Sequence, residues 1–118
     1  MSFLLVFIGG GLGSLCRYGL VLLIQPWQNR FPWATLAANA LACIVLGIVL
    51  GWQMQGQLTD RGKWLLASGF CGGFSTFSTF TAESWQLIQG GQFAFAILNV
   101  LGNLALCFLC LLLGLKIA

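Results

Sequence analysis

The chain has 118 residues, of which 59% are hydrophobic and 6% are charged. Soluble domains carry about 25% charged residues, and a soluble fold of this length could not hide so much apolar surface. The composition therefore predicts an integral membrane protein. Five basic residues against two acidic ones are too sparse for nucleic-acid binding, which needs clustered Lys and Arg.

The sequence lacks the side chains that most hydrolytic and metal-dependent enzymes need. It has no histidine, and its two carboxylate side chains, Asp60 and Glu83, are far apart in the chain. Paired carboxylates, a catalytic triad and a histidine metal site all lack parts, so we expect no enzymatic activity. The five cysteines lie in apolar segments, and Cys107 and Cys110 are one helical turn apart. Without other ligand types nearby, we interpret the cysteines as small buried apolar residues.

Apolar stretches of about 20 residues follow one another along the chain and predict membrane-spanning helices rather than barrel strands. We assign four spans, residues 2–24, 33–52, 64–88 and 93–117, within a single domain of residues 1–118. The first stretch lacks a basic leading region and an obvious cleavage site, so we interpret it as a retained span. The fold class is therefore predicted to be all-α and membrane-embedded.

Basic residues are shared almost evenly between the two predicted sides of the membrane. Arg61, Lys63 and Lys116 lie on the side of the termini, whereas Arg30 and Arg17 lie nearer the opposite side. Orientation follows Lys/Arg asymmetry, so this small difference predicts insertion in both orientations and antiparallel pairing of two copies. The alternative is that the weak bias and the terminal amine suffice to orient the chain.

One face of the first span combines glycine with a positive charge. Gly9, Gly13 and Arg17 recur every four residues and therefore share a helix face. The two glycines form a small-xxx-small pair, which favours close approach of another helix. Arg17 is an interfacial anchor whose side chain reaches the membrane surface, a helix-capping contact, or a direct anion ligand.

Two further spans each carry a polar stripe at helical spacing. The second span has Thr35, Asn39 and Cys43, and the fourth has Asn99, Asn103 and Cys107. An amide inside the membrane needs hydrogen-bond partners, so each Asn either joins helices or lines a polar path. Two such stripes in one small protein favour a shared path.

The third apolar region contains the most unusual stretch of the sequence. Gly69, Gly72 and Gly73 are poor helix formers, so we predict a broken helix between Gly69 and Ser75. Irregular backbone at membrane depth is tolerated where it is buried or lines a cavity. Freed carbonyl groups there suit cations, whereas the start of the following helix suits anions.

Phenyl rings and hydroxyl groups alternate after this predicted break. The rings are Phe74, Phe77 and Phe80, and the hydroxyls are Ser75, Thr76, Ser78, Thr79 and Thr81. On a helix this spacing gives one aromatic face beside one hydroxylated face. Ring edges are electropositive and can face an anion. Glu83 follows one turn after Phe80, and this combination with the glycines favours a functional site over simple packing.

Residues 69–83, Gly-Phe-Cys-Gly-Gly-Phe-Ser-Thr-Phe-Ser-Thr-Phe-Thr-Ala-Glu, closely resemble the signature of the Fluc/CrcB fluoride channels. Residues 9–18, Gly-Gly-Gly-Leu-Gly-Ser-Leu-Cys-Arg-Tyr, and residues 32–39, Pro-Trp-Ala-Thr-Leu-Ala-Ala-Asn, resemble the same family. The third-span motif is highly specific, and the resemblance covers the whole chain in order. It implies an antiparallel, dual-topology homodimer with two pores that passively exports fluoride across the cell (inner) membrane.

The resemblance also implies roles for individual residues. The ring edges of Phe77 and Phe80 would line the fluoride path, with Asn39 as the pore amide. The remaining residues along the route would be Ser78, Thr79, Thr35, Asn103, the vestibule-side Arg17 and the carboxylate Glu83. Backbone carbonyls of Gly72 and Ser75 from both subunits would hold a structural Na⁺ at the dimer axis.

The sequence departs from the family pattern at a few positions. Ala34 and Ser75 stand where the family usually has Gly and Thr, and carbonyl ligation at Ser75 should survive that change. Cys107 and Leu111 fall on the family's hydroxyl track in the fourth span. Asn103 is then the main polar contribution of that span.

Two other functions fit parts of the sequence. A small multidrug transporter has similar length and four spans, but it would need a carboxylate in the first span, where this chain has Arg17. A non-conducting membrane subunit explains the glycines but not the alternating hydroxyl and phenyl groups. Passive fluoride efflux separates all three functions.

Overall fold

A computed structural model describes residues 1–27, 31–75 and 77–118, and these residues form helices and short turns without a β-strand. The predicted all-α class is thus confirmed. Helix α1 is Ser2–Ile24, α2 is Trp33–Met54, α4 is Phe77–Gln89 and α5 is Phe93–Ile117, with a short 3₁₀ turn at Gln25–Trp27. Arg30 of the predicted charge distribution and Thr76 of the predicted hydroxyl run lie outside the described ranges.

Helix α3 consists of three consecutive segments. An α-helical turn at Asp60–Gly62 leads into a π-helical stretch at Lys63–Cys71, which ends in a second α-helical turn at Gly72–Phe74. The helix begins earlier than the predicted span because the Thr59 hydroxyl caps it. That oxygen accepts a hydrogen bond from the backbone nitrogen of Gly62 over 3.1 Å.

The break in the third region lies at the end of the predicted interval. The prediction was wrong for Gly69–Gly73, which is helical, whereas Ser75 has extended backbone with φ −92° and ψ 149°. Packing against α1 overrides the low helix propensity of these glycines. A Cβ on Gly73 would lie 2.9 Å from the Cα of Gly10, so these glycines allow backbone contact rather than a break.

Helices α1 and α3 run in the same direction and touch through their backbones. A Cβ on Gly9 would lie 2.9 Å from the backbone nitrogen of Phe70, and one on Gly13 would lie 2.8 Å from that of Phe74. The predicted role of this small-xxx-small pair in close helix approach is confirmed.

Helices α2 and α5 also run in the same direction and form the second close pair. A Cβ on Gly47 would lie 2.9 Å from the Cα of Gly114, and Gly51 lies beside Ala118 at the end of the same contact. This contact was not predicted, although Gly47 and Gly51 themselves have small-xxx-small spacing.

Helix α4 returns along α5 as an antiparallel hairpin. The turn between them contains Gly91, whose φ of +75° strains any other residue. Leu87 of α4 and Ala96 of α5 are buried beyond the turn. The small apolar core lies elsewhere, where Ala38 and Ala42 of α2 pack with Phe74 of α3.

Much of the apolar surface is not covered by the protein itself. Phe3 is 90% exposed, for example, and large aliphatic side chains cover the outer faces of α1 and α5. Among the described residues, three helices are long and apolar enough to cross a membrane, namely Ser2–Trp27, Trp33–Met54 and Phe93–Ile117. Helices α3 and α4, separated at Ser75, make up the remaining apolar region.

Candidate functional site

A cavity of about 320 Å³ opens between α2, α4 and α5, at the place where α3 ends. Five of the predicted site residues line it, namely Asn39, Ser75, Phe77, Phe80 and Asn103. The other lining residues are Cys43, Leu46, Leu104, Cys107, Phe108 and Leu111. The wall is therefore mostly apolar, with a few polar groups, as expected of a pocket for a small ligand.

The break at Ser75 decides which end of α4 meets this cavity. Phe77 is the first residue of α4 and Phe80 ends its first turn, and both line the cavity. The first turn of a helix has backbone N–H groups without intrahelical partners and carries partial positive charge. The start of α4 therefore makes this part of the cavity favourable for an anion.

The three phenylalanines of the repeat do not share one role. Phe77 and Phe80 lie with ring centroids 5.5 Å apart at an angle of 52°. Phe77 is 78% exposed, whereas Phe80 is half-buried. Phe74 instead lies in the core and meets Phe70 edge-on, with centroids 5.4 Å apart at 79°. Two rings thus border the cavity and the third packs.

A chain of hydrogen bonds joins the three helices around the cavity. Asn39 Nδ2 donates to Asn103 Oδ1 over 2.9 Å, and Asn103 Nδ2 donates to Asn99 Oδ1 over 2.8 Å. Asn99 Nδ2 donates to Ser84 Oγ over 2.8 Å, and the Ser84 hydroxyl donates to the Phe80 carbonyl over 2.9 Å. We call these five residues the amide relay.

The direction of the amide relay is fixed by backbone carbonyl groups. Asn103 Nδ2 also lies 2.7 Å from the backbone oxygen of Asn99, and a carbonyl oxygen can only accept. The amide of Asn103 therefore cannot be turned around, and its Oδ1 faces Asn39. Asn39 in turn has to present its nitrogen to Asn103.

Asn99 and Ser84 are the site residues that the sequence prediction missed. Asn99 is fully buried and Ser84 is 8% exposed, so both are core residues of the α4–α5 hairpin. Asn99 was part of the predicted polar stripe of the fourth span but was not among the predicted pore residues. The only signal for Ser84 in the sequence was its position after Glu83. Its pairing with Asn99 depends on the α4–α5 hairpin.

Thr35 and Glu83 form a separate contact beside the amide relay. The Thr35 hydroxyl donates a hydrogen bond to a carboxylate oxygen of Glu83, joining α2 to α4. Thr35 is buried and Glu83 is half-buried, and neither belongs to the cavity lining. They lie about one helical turn from Asn39 and Phe80, so this contact is next to the cavity rather than in it.

The other predicted site residues also lie outside the cavity lining. Ser78 and Thr79 are exposed on α4, and Gly72 is exposed near the end of α3. Arg17 is half-buried on α1, which does not contribute to the lining. Neighbouring Thr81 uses its hydroxyl within its own helix, where it donates to the Phe77 carbonyl over 2.9 Å.

The end of α3 presents carbonyl groups. A helix leaves its last carbonyls without intrahelical donors and carries partial negative charge there. The Cys71 carbonyl accepts from the backbone nitrogen of Ser75 over 3.1 Å and from its hydroxyl over 2.9 Å. No atom would obstruct a Cβ on Gly72 within 4 Å, so that position faces open space. Carbonyl oxygens at such a helix end would suit a hard cation.

The cysteines fall into three environments, so the interpretation of all five as small buried residues was wrong in part. Cys71 and Cys110 are buried, as expected. Cys16 is exposed on α1, whose outer face has little protein packed on it. Cys43 and Cys107 are half-buried because they line the cavity.

Comparison with known proteins places the chain in a family. The model of a family described as CrcB-like protein, Camphor Resistance (CrcB), matches residues 4–115. The chain belongs to the CrcB family. Since it belongs to this family and has several helices long and apolar enough to cross a membrane, it is a multi-pass membrane protein.

Several relatives in this family are named Fluoride-specific ion channel FluC. This CrcB-family chain is 41% identical to one from Thermus thermophilus over 116 residues, which cover 98% of this chain and 93% of the relative. It is 45% identical to one from Escherichia fergusonii over 102 residues, covering 86% and 80%. A relative from Phocaeicola vulgatus is 39% identical over 114 residues, covering 96% and 94%.

Proposed function

We propose that this chain is a fluoride-selective channel subunit that lets fluoride leave the cytoplasm passively and thereby lowers its concentration there. The relatives named as fluoride channels match it along nearly the whole length. The observation that carries the proposal is the meeting of the first turn of α4, two phenyl rings and the Asn39 amide at one cavity. The protein is a channel and not an enzyme.

Fluoride is small and strongly hydrated, so a pore has to replace its water with several donors. Conduction requires that the ion be bound weakly enough to leave the pore again. Weak donors meet this requirement, whereas a fixed strong charge would trap the ion. The cavity offers such donors beside an apolar wall. Selection against chloride would then rest on the narrowness of the path and the spacing of its donors.

Asn39 is proposed as the amide donor to the passing anion. The amide relay uses one of the two Nδ2 hydrogens of Asn39 for Asn103. The second hydrogen takes no part in the relay, and because Asn39 lines the cavity, this hydrogen is proposed to be donated to the ion. Ser84 and Asn99 are proposed as positioning residues that keep Asn103 in this orientation.

The rings of Phe77 and Phe80 are proposed to turn their edges towards the ion. Ring edges carry partial positive charge, which attracts an anion without binding it strongly. Ser78, Thr79 and Thr35 are proposed to add hydroxyl groups along the route, with Glu83 beside it. Arg17 is proposed to act at the vestibule, where its long side chain reaches the membrane surface.

A second copy of the chain is proposed to complete the channel as an antiparallel, dual-topology homodimer with two pores. All four apolar regions would cross the membrane, with α3 and α4 together as one broken span. The exposed ring of Phe77 supports this proposal, since a pore-lining group so uncovered calls for a partner surface. The even distribution of basic residues supports insertion in both orientations.

A structural Na⁺ is proposed at the axis of that dimer, in the cell inner membrane. The carbonyls of Gly72 and Ser75 from each copy would hold it, since Na⁺ prefers oxygen ligands and the end of α3 carries partial negative charge. The open space at Gly72 would admit the equivalent residue of the second copy. When bound, the ion would neutralise facing carbonyl groups and hold the two helix ends together.

The function is tested with purified protein in liposomes loaded with fluoride. With valinomycin to balance charge, we expect rapid fluoride release, measured with a fluoride electrode, and no comparable release of chloride from matched liposomes. Release that requires a proton gradient would indicate a coupled transporter instead. No release above protein-free liposomes would contradict the proposed function and favour a non-conducting subunit.

Dual topology is tested separately with reporter fusions at Ala118. We expect a periplasmic and a cytoplasmic reporter to be active in comparable amounts. A single orientation would contradict the antiparallel dimer while leaving the channel function to the liposome assay.

A further inference from the structure

Helices α2 and α5 run side by side in a register that can be read from two contacts. The first is the hydrogen bond from Asn39 to Asn103, which are 64 positions apart. The second is the contact of Gly47 with the Leu111 carbonyl, and these residues are separated by the same interval. Cys43 and Cys107 are separated by that interval too and lie midway between the two contacts. The register therefore places the two cysteines opposite each other.

The two thiols are reachable from the cavity. Cys43 and Cys107 are half-buried and both line the cavity wall, one helical turn from Asn39 and Asn103. Their facing positions in one register and their shared place in the cavity wall put the two thiols where one ligand could contact both. The amide relay above takes no part in this contact, and the cysteines have no role in the proposed path.

We propose that Cys43 and Cys107 form a binding site for a soft, divalent, two-coordinate metal ion of the Hg²⁺ type. Thiolate sulfur selects soft ions over the hard ions that prefer oxygen. Binding would break two S–H bonds and form two S–metal bonds, releasing two protons to water. The product is a neutral bis-thiolate, which suits an apolar wall where a net charge is costly.

Charge and ligand number exclude other occupants of this site. A monovalent soft ion on two thiolates would leave a net negative charge in the wall. Zinc in structural sites takes four ligands, and the described residues contain no group of three or more His, Cys, Asp and Glu side chains that could hold a metal. Cys110, one turn after Cys107, is buried outside the cavity lining, so Cys43 is the partner.

The site is tested by thiol protection in detergent micelles. Purified chain is incubated with stoichiometric HgCl₂, labelled with N-ethylmaleimide and digested, and each cysteine peptide is quantified by mass spectrometry. We expect labelling of Cys43 and Cys107 to fall about tenfold, because a metal-bound thiolate is not free to react. Cys16 is exposed and serves as the internal control. It should remain labelled as long as HgCl₂ is not in excess over the chain.

Single variants decide which pair holds the ion. Cys43→Ser should abolish the protection of Cys107, and Cys107→Ser should abolish that of Cys43, whereas Cys110→Ser should leave both protected. Protection that persists in Cys43→Ser but disappears in Cys110→Ser would overturn the proposal in favour of the intrahelical pair. Equal labelling of all five cysteines with and without HgCl₂ would overturn it outright.

The effect on transport depends on the proposed function and is measured separately. Bound metal in the cavity wall should slow fluoride release from liposomes in the parent chain and leave Cys43→Ser unaffected. Protection without any fluoride release in the metal-free chain would preserve the metal site and contradict the channel function. Release that is unchanged by a metal shown to be bound would contradict the expectation that an ion bound in this wall narrows the cavity for fluoride.

Discussion

Asn39 on α2 donates a hydrogen bond from Nδ2 to Oδ1 of Asn103 on α5 over 2.9 Å. This contact has two consequences for the cavity. It fixes the orientation of the Asn39 amide, because Asn103 is itself held by a backbone carbonyl. It also sets the register of two parallel helices that contribute most of the cavity wall. The close contacts between the helices at their glycines maintain this arrangement.

Asn39→Asp is expected to reduce fluoride release from liposomes by about tenfold or more, since a hydrogen bond to a charged group is worth about 1.5–3 kcal/mol. The substitution replaces the donor with a carboxylate, which offers acceptors and a negative charge to an incoming anion. The measurement is the initial rate on a fluoride electrode, with elution on gel filtration as the check of folding. Parent-like release from a well-folded variant would contradict the assignment of Asn39.

Phe80→Ile is expected to reduce fluoride release about fivefold, because an aromatic contact contributes about 1 kcal/mol beyond its buried area. Isoleucine retains apolar bulk but offers no electropositive edge. Phe3→Ile is the matched control, since Phe3 is 90% exposed on α1, far from the cavity lining. Equal rates for the two variants would remove Phe80 from the path.

Ser84→Ala is expected to destabilise the protein by about 1–3 kcal/mol, because it leaves the buried Asn99 amide without its acceptor. It should also slow fluoride release, since the amide relay no longer holds Asn103 in place. Thr81→Ala is the matched control, because Thr81 makes the same type of bond to its own helix but is exposed. Thermal unfolding in detergent and the electrode assay measure the two effects, and identical behaviour of both variants would show that the relay contributes nothing.

Gly114→Ala is expected to destabilise the fold by about 1–3 kcal/mol through overpacking of the α2–α5 contact. Its Cβ would lie 2.9 Å from the Cα of Gly47 and 3.0 Å from the backbone nitrogen of Ile48, and backbone cannot move aside as a side chain can. The melting temperature in detergent is the measurement. A variant as stable as the parent would mean that the helices can separate without loss.

Gly102→Ala on the same helix is the control for that experiment. A Cβ there meets no atom within 4 Å, so alanine should be neutral or should stabilise the helix by about 0.5–1 kcal/mol. Similar destabilisation by both substitutions would indicate that helix propensity or the bilayer environment, and not close packing, explains the effect.

Apolar periodicity and residue type determined much of this protein by themselves. Lipid offers the backbone no hydrogen-bond partners, so only helices and closed barrels span a membrane, and apolar stretches of about 20 residues are typical of helices. The positions of α1, α2 and α5 and the pairing of Gly9 and Gly13 with another helix followed from that. The pattern of glycines, hydroxyls and rings in residues 69–83 indicated a functional site, and the resemblance of this motif to a known signature indicated the family.

Only the tertiary structure decided which polar groups meet. The sequence predicted a break at Gly69–Ser75, but α1 packs so closely on α3 that the glycines remain helical and the chain bends at Ser75. The hydrogen bond between Asn99 and Ser84 depends on the register of the α4–α5 hairpin. The facing positions of Cys43 and Cys107 depend on the register of α2 against α5. Local patterns show which face of a helix is polar, but the register between helices depends on long-range packing of small residues, which no stretch of sequence contains by itself.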